Sequence, residues 1–300
     1  MSKRAQQESV YRKLSATQPL TETFFNAEIH LLQQVSGRLH MPTYLGAAQS
    51  GDHLYMYYQP WAQRTLRGWL TNPFTEDGKQ VARNNHPEVV RIGHQFMLCL
   101  AATLHGLHAR RPSILHRDIK PENFCITDHG ALLCVDFGTA KLCTDSSVRK
   151  SYAGTEKYMA PEVGNRYSRP ADVFSLGGIF AEIFCWMCKL NSATSLDVVM
   201  KNSTFKNKIA RTAALKLLER RQPSDGRFRV LFNLIIKMLS ENPHDRPLAG
   251  QVHDILRTLR SDYKCCNAEL PDMESDDGRS SSSVENMGSD FECCFTDDYM

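Results

Sequence analysis

The chain lacks several features that define whole classes of protein. Its most apolar segment, 167–184, is interrupted by Asp172 and Glu182, and its longest uninterrupted apolar run is far shorter than the ~18 residues of a membrane-spanning helix. Residues 1–10 lack the apolar centre of a signal peptide. The ten cysteines include one CxxC pair without a second pair at the spacing of a zinc site. We therefore predict no membrane span, no secretion signal and no disulfide scaffold, and we expect free thiols.

A strong net charge is also missing, since the formal net charge is +3, but the charge is unevenly distributed. Residues 261–300 contain eleven acidic and two basic residues, a net of −9, so residues 1–260 carry +12. The end of the chain is also rich in serine between Ser275 and Asp290 and has few apolar residues. We predict a folded domain over 1–260 and a disordered tail over 261–300. This tail would act as a solubilising segment, accept phosphate or fold back onto the basic domain.

Two short motifs carry the chemistry of this chain. Residues 116–123 read HRDIKPEN, and a DFG triplet, Asp136 to Gly138, follows on a predicted strand. The interval of 18 residues between Asp118 and Asp136 matches a short hairpin, because apolar runs flank a turn-forming Asp-His-Gly sequence. Asp118, Asn123 and Asp136 would supply the oxygen atoms that orient an acceptor hydroxyl and hold magnesium over phosphates.

These motifs resemble the catalytic centre of eukaryotic-type protein kinases of the serine/threonine class. The resemblance implies an α+β, bilobal fold with a reduced β-rich small lobe, about 1–59, and a mainly α-helical large lobe, about 62–260. It implies ATP and Mg²⁺ as cofactors and transfer of the γ-phosphoryl group to a Ser or Thr hydroxyl of a protein substrate. It also implies a cytoplasmic or nuclear location and no membrane or nucleic-acid partner. A further expected partner is an upstream kinase that acts on the activation segment or on the acidic tail.

The same resemblance gives a role to each polar residue of the catalytic loop. Asp118 would accept the hydroxyl proton, and Lys120 would steady the γ-phosphate, as in serine/threonine kinases. Asn123 and Asp136 would bind magnesium. Arg117 would pair with a phosphate group on the activation segment.

Residues further along the chain would support this loop. Thr155, in GTEKYMAPE, would hydrogen-bond towards the catalytic carboxylate and lysine, and the alternative is simple turn chemistry of a Gly-Thr pair. Glu162 would form a buried ion pair with Arg246 of the HDRP sequence, anchoring the activation segment to the large lobe. Asp172, on a predicted central helix over 167–184, would accept hydrogen bonds from the HRD backbone.

The small lobe departs from the family pattern, because the glycine-rich GxGxxG hairpin that covers ATP phosphates is absent from this chain. Lys13, in VYRKL, would be the ATP lysine, with Glu28 on an amphipathic helix as its ion-pair partner. The alternatives are an exposed lysine and an ordinary helical glutamate. With Lys13 in that role, the first strands of the lobe would have to precede Met1. We therefore expect a truncated lobe with weaker ATP binding and slower transfer.

A hinge is expected after a strand at 53–59. Tyr58 would occupy the gatekeeper position at the back of the adenine pocket. Gln59, Pro60 and Trp61 would form the hinge that contacts ATP.

Three segments follow the hinge in the prediction. Residues 65–70 start a helix, 71–87 form a polar insert, and 89–108 form a long helix. In the catalytic loop, Glu122 resembles a residue that contacts an arginine upstream of the target serine. This likeness predicts a preference for basic substrates. The positive charge of the domain argues against that preference.

Two functions of different classes remain open from the sequence. The first is an active serine/threonine protein kinase, which the complete set of catalytic motifs favours. The second is a pseudokinase-like scaffold or decoy with weak or no catalysis, which the missing glycine-rich loop favours.

Overall fold

A computed structural model gives the fold of this chain. The structure describes residues 10–15, 19–50, 53–60, 62, 64–72, 86–127, 130–143, 148–149, 154–164, 166–188, 196, 200 and 202–259. All of them belong to one compact unit, Met1–Ala268.

In its described residues, the small lobe is a three-stranded antiparallel sheet accompanied by one helix. The sheet has the spatial order β1-β3-β2, formed by β1 (Val10–Ser15), β2 (Thr43–Ser50) and β3 (His53–Gln59), and the helix is α1 (Pro19–Val35). Leu54 and Met56 of β3 are buried and alternate with more exposed residues, as expected for a strand with one face in a core. The helix buries an apolar face at Phe25, Leu31, Leu32 and Val35.

The large lobe is mainly helical. Its helices are α2 (Leu66–Thr71), α3 (His86–His108), α4 (Arg169–Met187), α5 (Lys208–Arg221), α6 (Gly226–Met238) and α7 (Ala249–Leu259). Short antiparallel ladders join β4 (Arg64–Thr65) to β6 (Phe124–Ile126), β6 to β7 (Leu132–Cys134), β5 (Ser113–Leu115) to β8 (Lys141–Cys143), and β9 (Val148–Arg149) to β10 (Arg166–Tyr167). Single 3₁₀ turns span Pro121–Asn123, Glu156–Tyr158 and Pro243–Asp245. The α+β, bilobal fold predicted from the sequence is confirmed.

Local sequence explains where several of these helices begin. The Thr65 side chain accepts a hydrogen bond from Gly68 N at 3.2 Å and caps α2. Asn207 accepts from two backbone amides and caps α5, and Asp225 accepts from Arg227 N at 2.8 Å and caps α6. Short polar side chains at these positions satisfy amides that have no partner inside the helix.

Helix α4 forms the centre of the large lobe and packs against α3 and α6. By length and composition α4 could cross a membrane, with a mean hydropathy of 1.2, but 89% of its most apolar stretch is buried inside the protein. It is therefore a buried core helix, as the sequence predicted. Cys185 of this helix and the following Cys188 form no disulfide, and burial raises the pKa of the Cys188 thiol to about 12.

The boundaries of two predicted helices were wrong. The central helix begins at Arg169 and not at Tyr167, because Tyr167 pairs with Val148 in a strand and Pro170 fits the first helical turn. The long helix before the catalytic loop begins at His86 and so takes in the end of the predicted insert. Residues 73–85 of that insert lie outside the described residues.

The predicted ion pair between Glu162 and Arg246 is present in the core of the large lobe. The Arg246 guanidinium donates to both carboxylate oxygens of Glu162, at 2.6 and 2.9 Å. It also donates to the Ser240, Glu241 and Pro170 carbonyls and lies 4.8 Å from the Phe174 ring centroid. Because the Arg246 side chain is 0% exposed, removing Glu162 would leave a buried charge without its counter-ion, and removing Arg246 would leave the largely buried Glu162 carboxylate without its two guanidinium donors.

We predict that Arg246→Ala lowers the free energy of unfolding by about 3–5 kcal/mol. Urea unfolding followed by circular dichroism measures this loss. The matched control is Arg227→Ala, because Arg227 forms an ion pair with Asp225 but is 51% exposed. That variant should lose no more than about 1 kcal/mol. Equal losses in the two variants would contradict a special role for the buried pair.

Candidate catalytic site

The backbone of the catalytic loop is held by the carboxylate of Asp172, at the start of α4. Its two oxygens accept hydrogen bonds from His116 N and Arg117 N, both at 3.0 Å. They also accept from His108 Nε2 at 3.0 Å and from the Tyr167 hydroxyl at 2.7 Å. Burial alone would raise the pKa of Asp172, but the hydrogen bonds from His108 and Tyr167 hold it below the ordinary carboxyl value. Asp172 is therefore an ionised carboxylate inside the core, with four donors around it.

Four donors also surround the Asp118 carboxylate. One oxygen accepts from the backbone N and the hydroxyl of Thr155, both at 2.8 Å. The other lies 2.6 Å from Lys120 Nζ and 3.1 Å from Asn123 Nδ2. Burial would raise the pKa of Asp118, but hydrogen bonds from Lys120 and Thr155 lower it overall. The geometry keeps this carboxylate ionised and in a fixed orientation.

A hairpin brings Asn123 next to Asp136. Strands β6 and β7 pair with Phe124 opposite Cys134, and Val135 N donates to the Asn123 carbonyl at 2.9 Å. The residue after Val135 is Asp136, which has a positive φ of 64° and accepts from Gly138 N at 3.3 Å. Two oxygen-bearing side chains that are 13 positions apart therefore lie at the same end of one hairpin.

The donor set at this end suits magnesium. Asn123 and Asp136 offer an amide and a carboxylate oxygen, which are the ligand types that Mg²⁺ takes when substrate phosphates and water complete its shell. No cluster of three or more His, Cys, Asp or Glu residues suited to a metal occurs within the described part of the chain. A site built from two protein ligands fits a metal that is shared with a nucleotide.

Glu28 of α1 connects the small lobe to the DFG triplet. Its side chain is buried, and one carboxylate oxygen accepts a hydrogen bond from Phe137 N at 3.2 Å. The Phe137 ring is buried and lies 5.2 Å from the His116 ring, centroid to centroid. Glu28 was predicted only as a partner of a lysine, so its contact with the Phe137 amide was missed, because no local pattern marks a contact over 109 residues.

The structure describes only some of the small-lobe residues that were predicted to contact ATP. Lys13 lies in β1 opposite Tyr55 of β3, and its side chain lies outside the described part of the structure. Gln59 ends β3, opposite Thr43 of β2. Trp61 lies outside the described residues. The pairing of Lys13 with Glu28 therefore stays a prediction.

Arg117 and Gly154 meet behind the catalytic carboxylate. Arg117 has a positive φ of 70°, is buried, and lies over the Tyr167 ring at 5.7 Å. Burial lowers the pKa of its guanidinium. Gly154 has a φ of 108°, and a Cβ there would lie 2.5 Å from the Arg117 carbonyl oxygen. Only glycine allows this contact, which sets the backbone of Thr155 against the catalytic loop.

The fold and this arrangement of side chains are those of a protein kinase domain. A family model of the protein kinase domain matches residues 2–256, and the chain belongs to this family.

Several relatives carry serine/threonine kinase names. A putative serine/threonine-protein kinase/receptor of Acanthamoeba polyphaga mimivirus is 31% identical over 58% of this chain and 10% of its own length. Serine/threonine-protein kinase 32B of Homo sapiens is 32% identical over 49% of this chain and 34% of its own length. The probable serine/threonine-protein kinase WNK6 of Oryza sativa subsp. japonica is 26% identical over 65% of this chain and 46% of its own length. The chain thus spans less than half the length of each of these relatives.

We predict a pH-dependent stability that comes from Asp172. Since its folded pKa lies below the unfolded value of about 3.9, its stabilisation is complete above that value and is lost as the pH falls through the folded pKa. Asp172→Asn removes this contribution and leaves a backbone amide of the catalytic loop without an acceptor.

Guanidinium unfolding between about pH 3 and pH 7 measures the effect. The difference in unfolding free energy between wild type and Asp172→Asn should be largest near neutral pH and shrink in acid. Asp254→Asn is the control, because its side chain is 75% exposed, and it should keep the wild-type pH dependence. A difference between wild type and Asp172→Asn that stays constant with pH would contradict the prediction.

Proposed function

We propose that this chain is a serine/threonine protein kinase that transfers the γ-phosphoryl group of ATP to a Ser or Thr hydroxyl of a protein substrate. The observation that carries the proposal is the Asp118 carboxylate, which Thr155, Lys120 and Asn123 hold in one orientation. A carboxylate fixed in this way can accept a hydrogen bond from the substrate hydroxyl. That hydrogen bond orients the hydroxyl oxygen towards the γ-phosphorus of ATP.

Each neighbour of Asp118 has a task in this proposal. Lys120, whose Nζ lies 2.6 Å from Asp118, would neutralise negative charge on the transferred phosphoryl group. The Thr155 hydroxyl donates to one oxygen of the Asp118 carboxylate and fixes its orientation. Serine/threonine kinases resemble this chain in having a threonine at this place, which supports the serine/threonine class. Asn123 and Asp136 would hold Mg²⁺, which when bound neutralises phosphate charge.

The remaining assignments complete this proposal. Lys13, Gln59 and Trp61 would contact ATP in the small lobe and hinge, and Glu28 would orient Lys13. The kinase domain would span 1–260, and 261–300 would be an acidic, disordered tail. Activation-segment phosphorylation by an upstream kinase would place a phosphate beside Arg117, whose guanidinium is buried against the Tyr167 ring. A cytoplasmic or nuclear location and a protein substrate follow from the same proposal.

A second candidate is a scaffold or decoy that binds nucleotide weakly or not at all. The absence of a GxGxxG hairpin from this chain supports it, because that hairpin contributes the backbone amides that hold ATP phosphates. The intact donor set around Asp118 favours catalysis over this candidate.

We predict that the protein phosphorylates a generic Ser/Thr substrate with labelled ATP and magnesium, and that Asp118→Asn and Asp136→Ala each lower the rate by about 100-fold or more. Asp118→Asn loses the negative charge that orients the hydroxyl, and Asp136→Ala loses a magnesium ligand. Asp254→Asn, on the surface of α7, is the control and should keep the wild-type rate.

The same experiment separates the two candidates. Equal signal in wild type and both variants would identify a contaminating kinase and contradict the proposal. If no protein gives signal, a thermal-shift titration with ATP and magnesium distinguishes a nucleotide-binding scaffold, whose melting temperature rises, from one that binds no nucleotide.

A further inference from the structure

Arg67 of α2 joins three elements that surround the catalytic loop. Its Nε donates to Glu122 Oε1 at 2.7 Å, and its Nη1 donates to Glu182 Oε2 at 3.2 Å. Its Nη2 donates to the Tyr158 hydroxyl, which itself donates to Glu182 Oε1 at 2.9 Å. Every nitrogen of the guanidinium thus has an acceptor, and its three partners come from three different parts of the chain.

These partners lie beside the catalytic carboxylate. Glu122 is in the same 3₁₀ turn as Asn123, whose amide donates to Asp118. Tyr158 is in the 3₁₀ turn that follows Thr155, whose hydroxyl also donates to Asp118. A peptide that presents a hydroxyl to Asp118 would therefore pass next to Glu122 and Tyr158, the residues to which Arg67 donates hydrogen bonds.

The charges in this group leave Glu122 dependent on Arg67. The Glu182 carboxylate has a second cation, because Lys157 Nζ lies 2.7 Å from its Oε1. For Glu122, Arg67 is the one ion-pair partner found among the described residues. Glu122 is also 47% exposed, whereas Glu182 is buried. Without Arg67, Glu122 would be an exposed, unpaired carboxylate one residue from Asn123.

An exposed carboxylate beside an acceptor site selects basic side chains in a peptide, because a guanidinium forms short, charge-assisted hydrogen bonds with it. In this chain Arg67 already makes those bonds. A substrate arginine would have to displace an internal guanidinium that is held by two carboxylates and a hydroxyl.

We propose that Arg67 is a specificity-determining residue that occupies the arginine position at Glu122, so that the protein does not select substrates with a basic residue near the acceptor hydroxyl. This inference rests on the proposed kinase function. It replaces the preference for basic substrates that the sequence alone indicated for Glu122.

The test measures peptide preference in wild type, Arg67→Leu and the double variant Arg67→Leu/Glu122→Gln. The probe is a serine-centred peptide library in which arginine, or its uncharged analogue citrulline, occupies one position at a time. We expect wild type to treat the two libraries alike. Arg67→Leu should prefer arginine by about 10-fold at one position, which corresponds to one good charged hydrogen bond. The double variant should lose that preference.

Two controls separate specificity from structure. Arg91→Leu removes a comparable arginine that pairs with Glu88 on α3 and should show no arginine preference. Thermal melting of every variant identifies loss of folding, which would lower turnover of the arginine and citrulline peptides equally. An arginine preference in wild type, or no gain of preference in folded Arg67→Leu, overturns the inference while the kinase proposal stands.

If wild type phosphorylates no peptide, the kinase proposal fails and the inference is judged by binding. Fluorescence anisotropy with labelled arginine and citrulline peptides then replaces the rate. Tighter binding of the arginine peptide to Arg67→Leu, lost in the double variant, supports the occupation of Glu122 by Arg67. Equal binding of both peptides to Arg67→Leu overturns it.

Discussion

The buried carboxylate of Asp172 holds the catalytic loop to the core of the large lobe. Burying a charge costs much free energy unless donors surround it, and here two backbone amides, a histidine and a tyrosine hydroxyl supply them. Because two of those donors are the amides of His116 and Arg117, the compensation of the charge and the position of the loop are the same interaction. A shift of the loop would remove two of the four donors to the buried charge.

The remainder of the site is built outward from this anchor. The loop carries Asp118, and Gly154 brings Thr155 close enough to donate two hydrogen bonds to it. The ion pair between Glu162 and Arg246 fixes the end of the same segment to the core. A carboxylate that is oriented before substrate binds needs little reorganisation during transfer. All the donors to Asp118 come from the large lobe.

Arg67 shows how one side chain changes the use of a shared site. The carboxylate of Glu122 is present in the motif, but its charge is engaged by a neighbouring helix. The motif alone therefore identifies the Glu122 carboxylate but does not reveal that Arg67 is already bound to it. The same limitation applies to Glu28, whose position on an amphipathic helix was predicted but whose bond to the Phe137 amide was not.

The residues of the candidate catalytic site could be read from the chain alone because they lie in contiguous motifs, and the hairpin spacing already implied that the motifs of Asp118 and Asp136 lie together. Helical periodicity likewise indicated the helix that carries Glu28 and the central helix, since burial of an apolar face repeats every 3.6 residues. The two lobes followed from the resemblance to protein kinases. The resemblance had already implied the backbone donors of Asp172, but its His108 partner and the partners of Arg67 depended on tertiary structure. His108 is 64 positions from Asp172, and Glu182 is 115 positions from Arg67. Such pairs form only when packed helices bring their side chains within about 3 Å, and no local pattern records which helices will meet.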